Sequence, residues 1–143
     1  MARILLLLLS IGMVGCGVRI ECNRPTRNQD ALDDAISEWM RSGMGELAPD
    51  CVEFLSTVPV RRVLQITSCA GVADKYLGCI VFRQEDLFRS VITIADPLHY
   101  YDTLAHEYLH GLQYCAGDHR DHPVELFGAN SVESRLVESF SCE

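Results

Sequence analysis

His106, Glu107 and His110 form a His-Glu-x-x-His run. On a helix the two imidazoles stand one turn apart and leave the same face, so both can reach one metal ion. Glu107 follows the first of them and leans toward a water that the metal activates. Residue types at this spacing describe metal-assisted hydrolysis, with a general base beside the ion. A merely solvated helix face has no need of histidines at i and i+4 with a glutamate directly after the first.

The element that must carry these groups is legible around them. Residues 99–115 read as one amphipathic helix: Leu98, Tyr101, Ala105, Tyr108 and Leu112 make an apolar stripe, and His99, Thr103, His106, His110 and Gln113 lie toward another side. Asp96-Pro97 closes the preceding segment and opens this helix, because proline is well tolerated at a helix start. Upstream, the runs 60–67, 78–82 and 90–95 are β-rich, separated by Gly71, Asp74 and the charged Gln84-Glu85-Asp86 turn, and predict a small three-stranded sheet. Before them, Asn28 is placed to cap a helix reaching about Arg41. Ala31, Leu32, Ala35, Ile36 and Trp39 form its apolar side, with Gly43 as the stop. Trp39 falls inside that stripe, which makes it a core residue rather than a ligand contact. After the site helix, a turn-rich stretch at 117–123 leads into a helical pattern over 124–140, interrupted near 128–131, where Asn130 or Ser131 can cap a fresh start. The fold class is α+β.

The first fifteen residues read as an export leader, with Arg3, an apolar run over 4–14 and the small Gly15. That run falls short of the about 20 residues needed to span a bilayer. Met13-Val14-Gly15-Cys16 resembles the lipobox of bacterial lipoproteins, which implies a lipid-bearing Cys16, a tether over 16–27 and a domain over 28–143. The implied place is the envelope, anchored to a membrane; a soluble secreted protein is the alternative. Of seven cysteines, setting Cys16 aside leaves Cys22, Cys51, Cys69, Cys79, Cys115 and Cys142, an even set suited to three disulfides. No C-x-x-C pair occurs, so an oxidising compartment and structural bridges fit better than thiolate metal sites. Six cysteines allow fifteen pairings; Cys69 with Cys79 across a hairpin and Cys115 with Cys142 are the expected two. With 12 basic against 20 acidic residues and a single Lys, the chain lacks the basic face that nucleic acid requires.

The His-Glu-x-x-His helix beside a small sheet resembles the zincin metallopeptidases over roughly residues 78–140. The resemblance implies a zincin-like domain, one Zn²⁺ ion held by His106 and His110, a third ligand from further along, and Glu107 as base toward a peptide or protein substrate. Gln113 and Ala116 stand where the metzincin branch carries Gly and His, so the gluzincin branch fits better. That branch takes a glutamate from a following helix, which makes Glu133 the first choice. Glu125 competes, because an antiparallel helix entering at Asp121 would bring it level with His110. Asp118, His119 and His122 are further alternatives, otherwise read as turn residues. Residues 90–95 resemble the zincin edge strand, or else form an internal strand. Tyr100, Tyr114, His119 and Arg135 are the available oxyanion donors. A non-catalytic, disulfide-stapled envelope lipoprotein that binds or supports a partner is the rival reading, and an amidase on cell-wall peptides a third.

Overall fold

The computed structural model describes residues 27–83 and 90–140. The leader, Cys16, most of the tether, Cys22, Cys142 and the turn at Gln84-Glu85-Asp86 lie outside them. Five helices and five strands make a mixed α+β domain, in the order α1 (Asn28–Ser42), α2 (Pro49–Thr57), β1 (Val60–Arg62), β2 (Ile66–Cys69), β3 (Val72–Tyr76), β4 (Gly78–Val81), β5 (Val91–Ile94), α3 (Tyr100–Cys115), α4 (Val124–Phe127) and α5 (Val132–Phe140).

The first helix forms because Ala31, Leu32, Ala35 and Trp39 recur on one face, and all four are buried. Its cap is Arg27, one residue before the expected Asn28; the Arg27 N–H donates to the Asp30 carboxylate at 2.9 Å. The Asn28 side chain instead accepts from the Tyr100 hydroxyl, joining α1 to the start of α3. Gly43 closes α1 in the left-handed region at φ 65°, where a side chain would be strained. Trp39 is 1 % exposed, and its indole N–H donates to the Gly45 carbonyl, which satisfies the polar tip inside the core.

β1, β5 and β4 form one sheet in that order, β1 parallel and β4 antiparallel to β5. The three runs read from the sequence thus supply its strands. Its centre is β5, so residues 90–95 are internal, and the edge that faces the site helix belongs to β4. The reason is burial: Ile92 and Ile94 are almost wholly enclosed, as a central strand requires. The 60–67 run splits into two. Its second part, β2, pairs with β3 in a separate hairpin whose turn residues Ala70 and Gly71 both have positive φ, the mirror-image turn that suits strand twist.

The third helix packs against α1, the sheet and α5, and buries Leu104, Ala105, Tyr108, Leu109 and Leu112. Its entry is fixed by Asp96, whose carboxylate accepts the N–H groups of Leu98 and His99 at 3.0 and 2.9 Å and the Thr103 hydroxyl. The tail breaks as its sequence implies: α4 ends at Gly128, Asn130 adopts φ 60°, and the Ser131 hydroxyl accepts the Ser134 N–H at the start of α5.

Two disulfides staple the described residues. Cys69 joins Cys79 as expected, tying the hairpin to β4. Cys115 joins Cys51 rather than Cys142, because α2, a helix that the sequence pattern did not disclose, lies beside the end of α3. Among the described residues, no helix is long and apolar enough to cross a membrane.

Candidate metal centre

Helical geometry does what the spacing predicts: the His106 and His110 rings lie edge to face, 4.8 Å apart, with their Nε2 atoms 3.1 Å from one another. The loop between α3 and α4 adds a third imidazole. His122 brings its ring to 4.7 Å from His110 and 5.3 Å from His106, and one ligand atom from each of the three residues falls within 4.8 Å of the others. Its backbone is held at φ 40°, a strained position for a residue other than glycine.

Each ring is oriented through its other nitrogen. His106 Nδ1 lies 2.6 Å from Glu133 Oε1, His110 Nδ1 lies 3.3 Å from Gln113 Oε1, and His122 Nδ1 lies 2.6 Å from Asp121 Oδ1. All three partners are oxygens, so each Nδ1 donates a proton. The Gln113 amide is fixed in this sense because its Nε2 donates to the Arg120 carbonyl at 2.6 Å. With Nδ1 protonated, a neutral histidine presents a bare lone pair at Nε2. The Nε2 atoms of His106 and His110 lie 3.1 Å apart, a separation met either by a proton shared between a charged His106 and a neutral His110 or by a cation beside both. The separation is close to the about 3.3 Å edge of a tetrahedron with nitrogen ligands at about 2.0–2.1 Å. The donor set therefore fits a divalent transition metal, and oxygen partners behind the ligating histidines are what such sites use to fix the tautomer.

Electrostatics agree with that arrangement. Burial and the neighbouring His106 and His122 hold the His110 imidazole down at about 4, so it is neutral and able to ligate at ordinary pH. Burial also pushes His106 down, but the Glu133 hydrogen bond and charge, with Glu107 behind them, outweigh it and raise the pKa. Phe127 packs its ring 4.4 to 5.0 Å from all three imidazoles and gives the cluster an apolar wall.

Glu107 is 5 % exposed, and burial raises its carboxyl to about 7 against the opposing pull of His106 and of the Ile80 N–H on β4. It lines a 490 Å³ cleft together with His106, Glu133, Thr103, Gly78 and Lys75. Room for the carboxylate exists because residue 78 has no side chain: a Cβ there would sit 2.4 Å from Glu107 Oε1 and 2.7 Å from Thr103 Cγ2.

The other expected groups are placed as follows. Glu133 reaches the centre as the partner of His106 Nδ1, outside the convergent set. Glu125 and Asp118 are both held by the Arg120 guanidinium, at 2.7 and 2.8 Å. The His119 ring meets Tyr114 edge to face, and Tyr114 meets Phe82 in the same way. Tyr100 is bonded to Asn28 beneath Arg62, and Arg135 binds Glu38 and Ser42 on α1, so none of the four expected oxyanion donors lines the cleft. Sequence reasoning passed over Gln113, Asp121 and Gly78. Asp121 and Gln113 had a signal in their places, next to His122 and one turn after His110; Gly78 had none.

No family model matches the chain, and neither the curated proteins nor the solved structures contain a match to it.

Proposed function

We propose that this chain is a zinc-dependent metallopeptidase, exported and anchored to a membrane through a lipid on Cys16. One observation carries the reading: three histidines bring one ligand nitrogen each within 4.8 Å of the others, with an oxygen beside the Nδ1 of each ring and a buried carboxyl next to the first of them. His106, His110 and His122 would hold one zinc ion. When bound there, zinc supplies a Lewis acid and lowers the pKa of water toward neutrality. Glu133, first expected as the third ligand, instead fixes the tautomer of His106.

Glu107 does the proton work. A carboxyl near 7 is half ionised at neutral pH, so it can accept a proton from the attacking water and return it to the leaving amine. Its burial keeps it basic, and the Ile80 N–H holds it on the cleft side of α3. The cleft is open enough for an extended peptide segment and too small for a folded domain.

Glu107→Gln tests the proposal. Zinc content and thermal stability should persist, while hydrolysis of a peptide library falls at least about a hundredfold, the scale of a lost general base. Unchanged proteolysis in that variant rejects the mechanism. Zinc binding with no hydrolysis by the unaltered protein would favour a non-catalytic envelope module.

A further inference from the structure

Two of the three imidazoles ride on a rigid helix and the third on a loop, and the Gln113 side chain hydrogen-bonds to both parts. Gln113 sits one turn beyond His110 on α3 and is 3 % exposed. Its Oε1 accepts from His110 Nδ1 at 3.3 Å, and its Nε2 donates to the Arg120 carbonyl at 2.6 Å, two residues before His122. The same amide also bonds Asp118, the carboxylate that grips Arg120. Besides this amide, the loop carries the Arg120 pairs with Asp118 and Glu125, which are exposed and so contribute little to its position, and the ring contacts of His119 with Tyr114 and of His122 with Phe127.

We propose that Gln113 is the positioning residue that couples the loop-borne His122 to the helix-borne pair, so that one amide sets the orientation of His110 and the approach of the third ligand together. The inference rests on the zinc reading and deepens it. Neither end of the amide can be exchanged without loss. An apolar side chain of similar length leaves His110 Nδ1 and the Arg120 carbonyl without this part-buried partner, and a carboxylate keeps the acceptor for His110 but sets a negative charge against that carbonyl.

The test measures zinc affinity by chelator competition on the oxidised full chain, with the cobalt(II) absorption spectrum as a second readout. Gln113→Met should weaken zinc by about 10- to 100-fold, the usual effect of removing a partner behind a ligating histidine. Gln113→Glu should retain part of that affinity. The cobalt spectrum of Gln113→Met should move toward that of His122→Ala. In a His122→Ala background Gln113→Met should cost clearly less than it does alone, because one of the two ligands it positions is already gone and only its hold on His110 remains to be lost. Wild-type affinity in Gln113→Met overturns the proposal, as does a loss that is fully additive with His122→Ala, the signature of a structural role alone. Should Gln113→Met fail to fold, the Gln113→Glu cycle with His122→Ala is decided by the same additivity. A wild-type chain that binds no zinc defeats the underlying reading instead, which separates the two failures.

Discussion

Gly78→Ala puts the least possible mass against the proposed base. The added methyl would lie 2.4 Å from Glu107 Oε1 and 2.7 Å from Thr103 Cγ2. Ordinary van der Waals contact begins near about 3.4 Å, so the carboxylate must retreat by about 1 Å or the strand must lift. Glu107 is the softer partner, yet it is enclosed and tied to the Ile80 N–H, two residues along β4 from the clash. Overpacking of this kind costs about 1–3 kcal/mol of stability. A displacement of about 1 Å in a catalytic group costs about a hundredfold in rate. The three atoms nearest to the added methyl belong to Glu107 and Thr103 rather than to an imidazole, so zinc affinity should stay within about twofold of the unaltered protein. The assay is kcat and KM on a quenched fluorescent peptide library, with zinc titration in parallel. Full activity in Gly78→Ala refutes the placement of Glu107 as base. Loss of zinc together with activity refutes the argument that the methyl acts on Glu107 alone.

Other expectations follow from the same geometry. In the metal-free protein, Glu107 is raised from 4.5 to about 7, so its protonated form favours the fold, and its contribution, full below pH 4.5, is lost as pH rises through 7. Urea melts should show the unaltered protein losing about 3 kcal/mol relative to Glu107→Gln across that window; a constant difference would contradict the buried carboxyl. Replacing Cys51 and Cys115 with serine opens a link spanning 64 residues and should cost about 4 kcal/mol, against about 3 for the pair Cys69 and Cys79, which spans 10. Melting of both variants checks the order. Gly111→Ala drives a methyl to 2.7 Å from Leu55 Cδ1 and should lower stability by about 1–3 kcal/mol without changing zinc affinity at fixed folded fraction.

What could be read along the chain was whatever local periodicity or chemistry dictates. The apolar stripes of α1 and α3, the break at Asn130 and Ser131, and the three β-rich runs all follow from short-range patterns, and the His106 and His110 pair needs only one helical turn. Long-range pairing was not written there. β5 looks no different from an edge strand until β1 is seen lying parallel to it. The short α2 shows only two buried residues, Cys51 and Leu55, too few to register as a stripe, and with it went the true partner of Cys115. His122 stood among several alternatives for a third ligand and could not be singled out for the same reason. It lies in a stretch of turn residues, and its backbone at φ 40°, the bond of Gln113 to the Arg120 carbonyl and the Phe127 ring accompany its return over α3. Glu133 was expected as a ligand, and the tail brings its carboxylate to Nδ1 of His106 at 2.6 Å.

The most direct test of the account is zinc stoichiometry of the purified, oxidised chain and of its His122→Ala and Glu133→Ala variants. One ion per chain in the unaltered protein is expected, with about tenfold or greater weakening in Glu133→Ala and a larger loss of affinity, to a weak residual site, in His122→Ala. A chain that holds no zinc, or one in which Glu133→Ala empties the site while His122→Ala leaves it full, would contradict the three-imidazole centre.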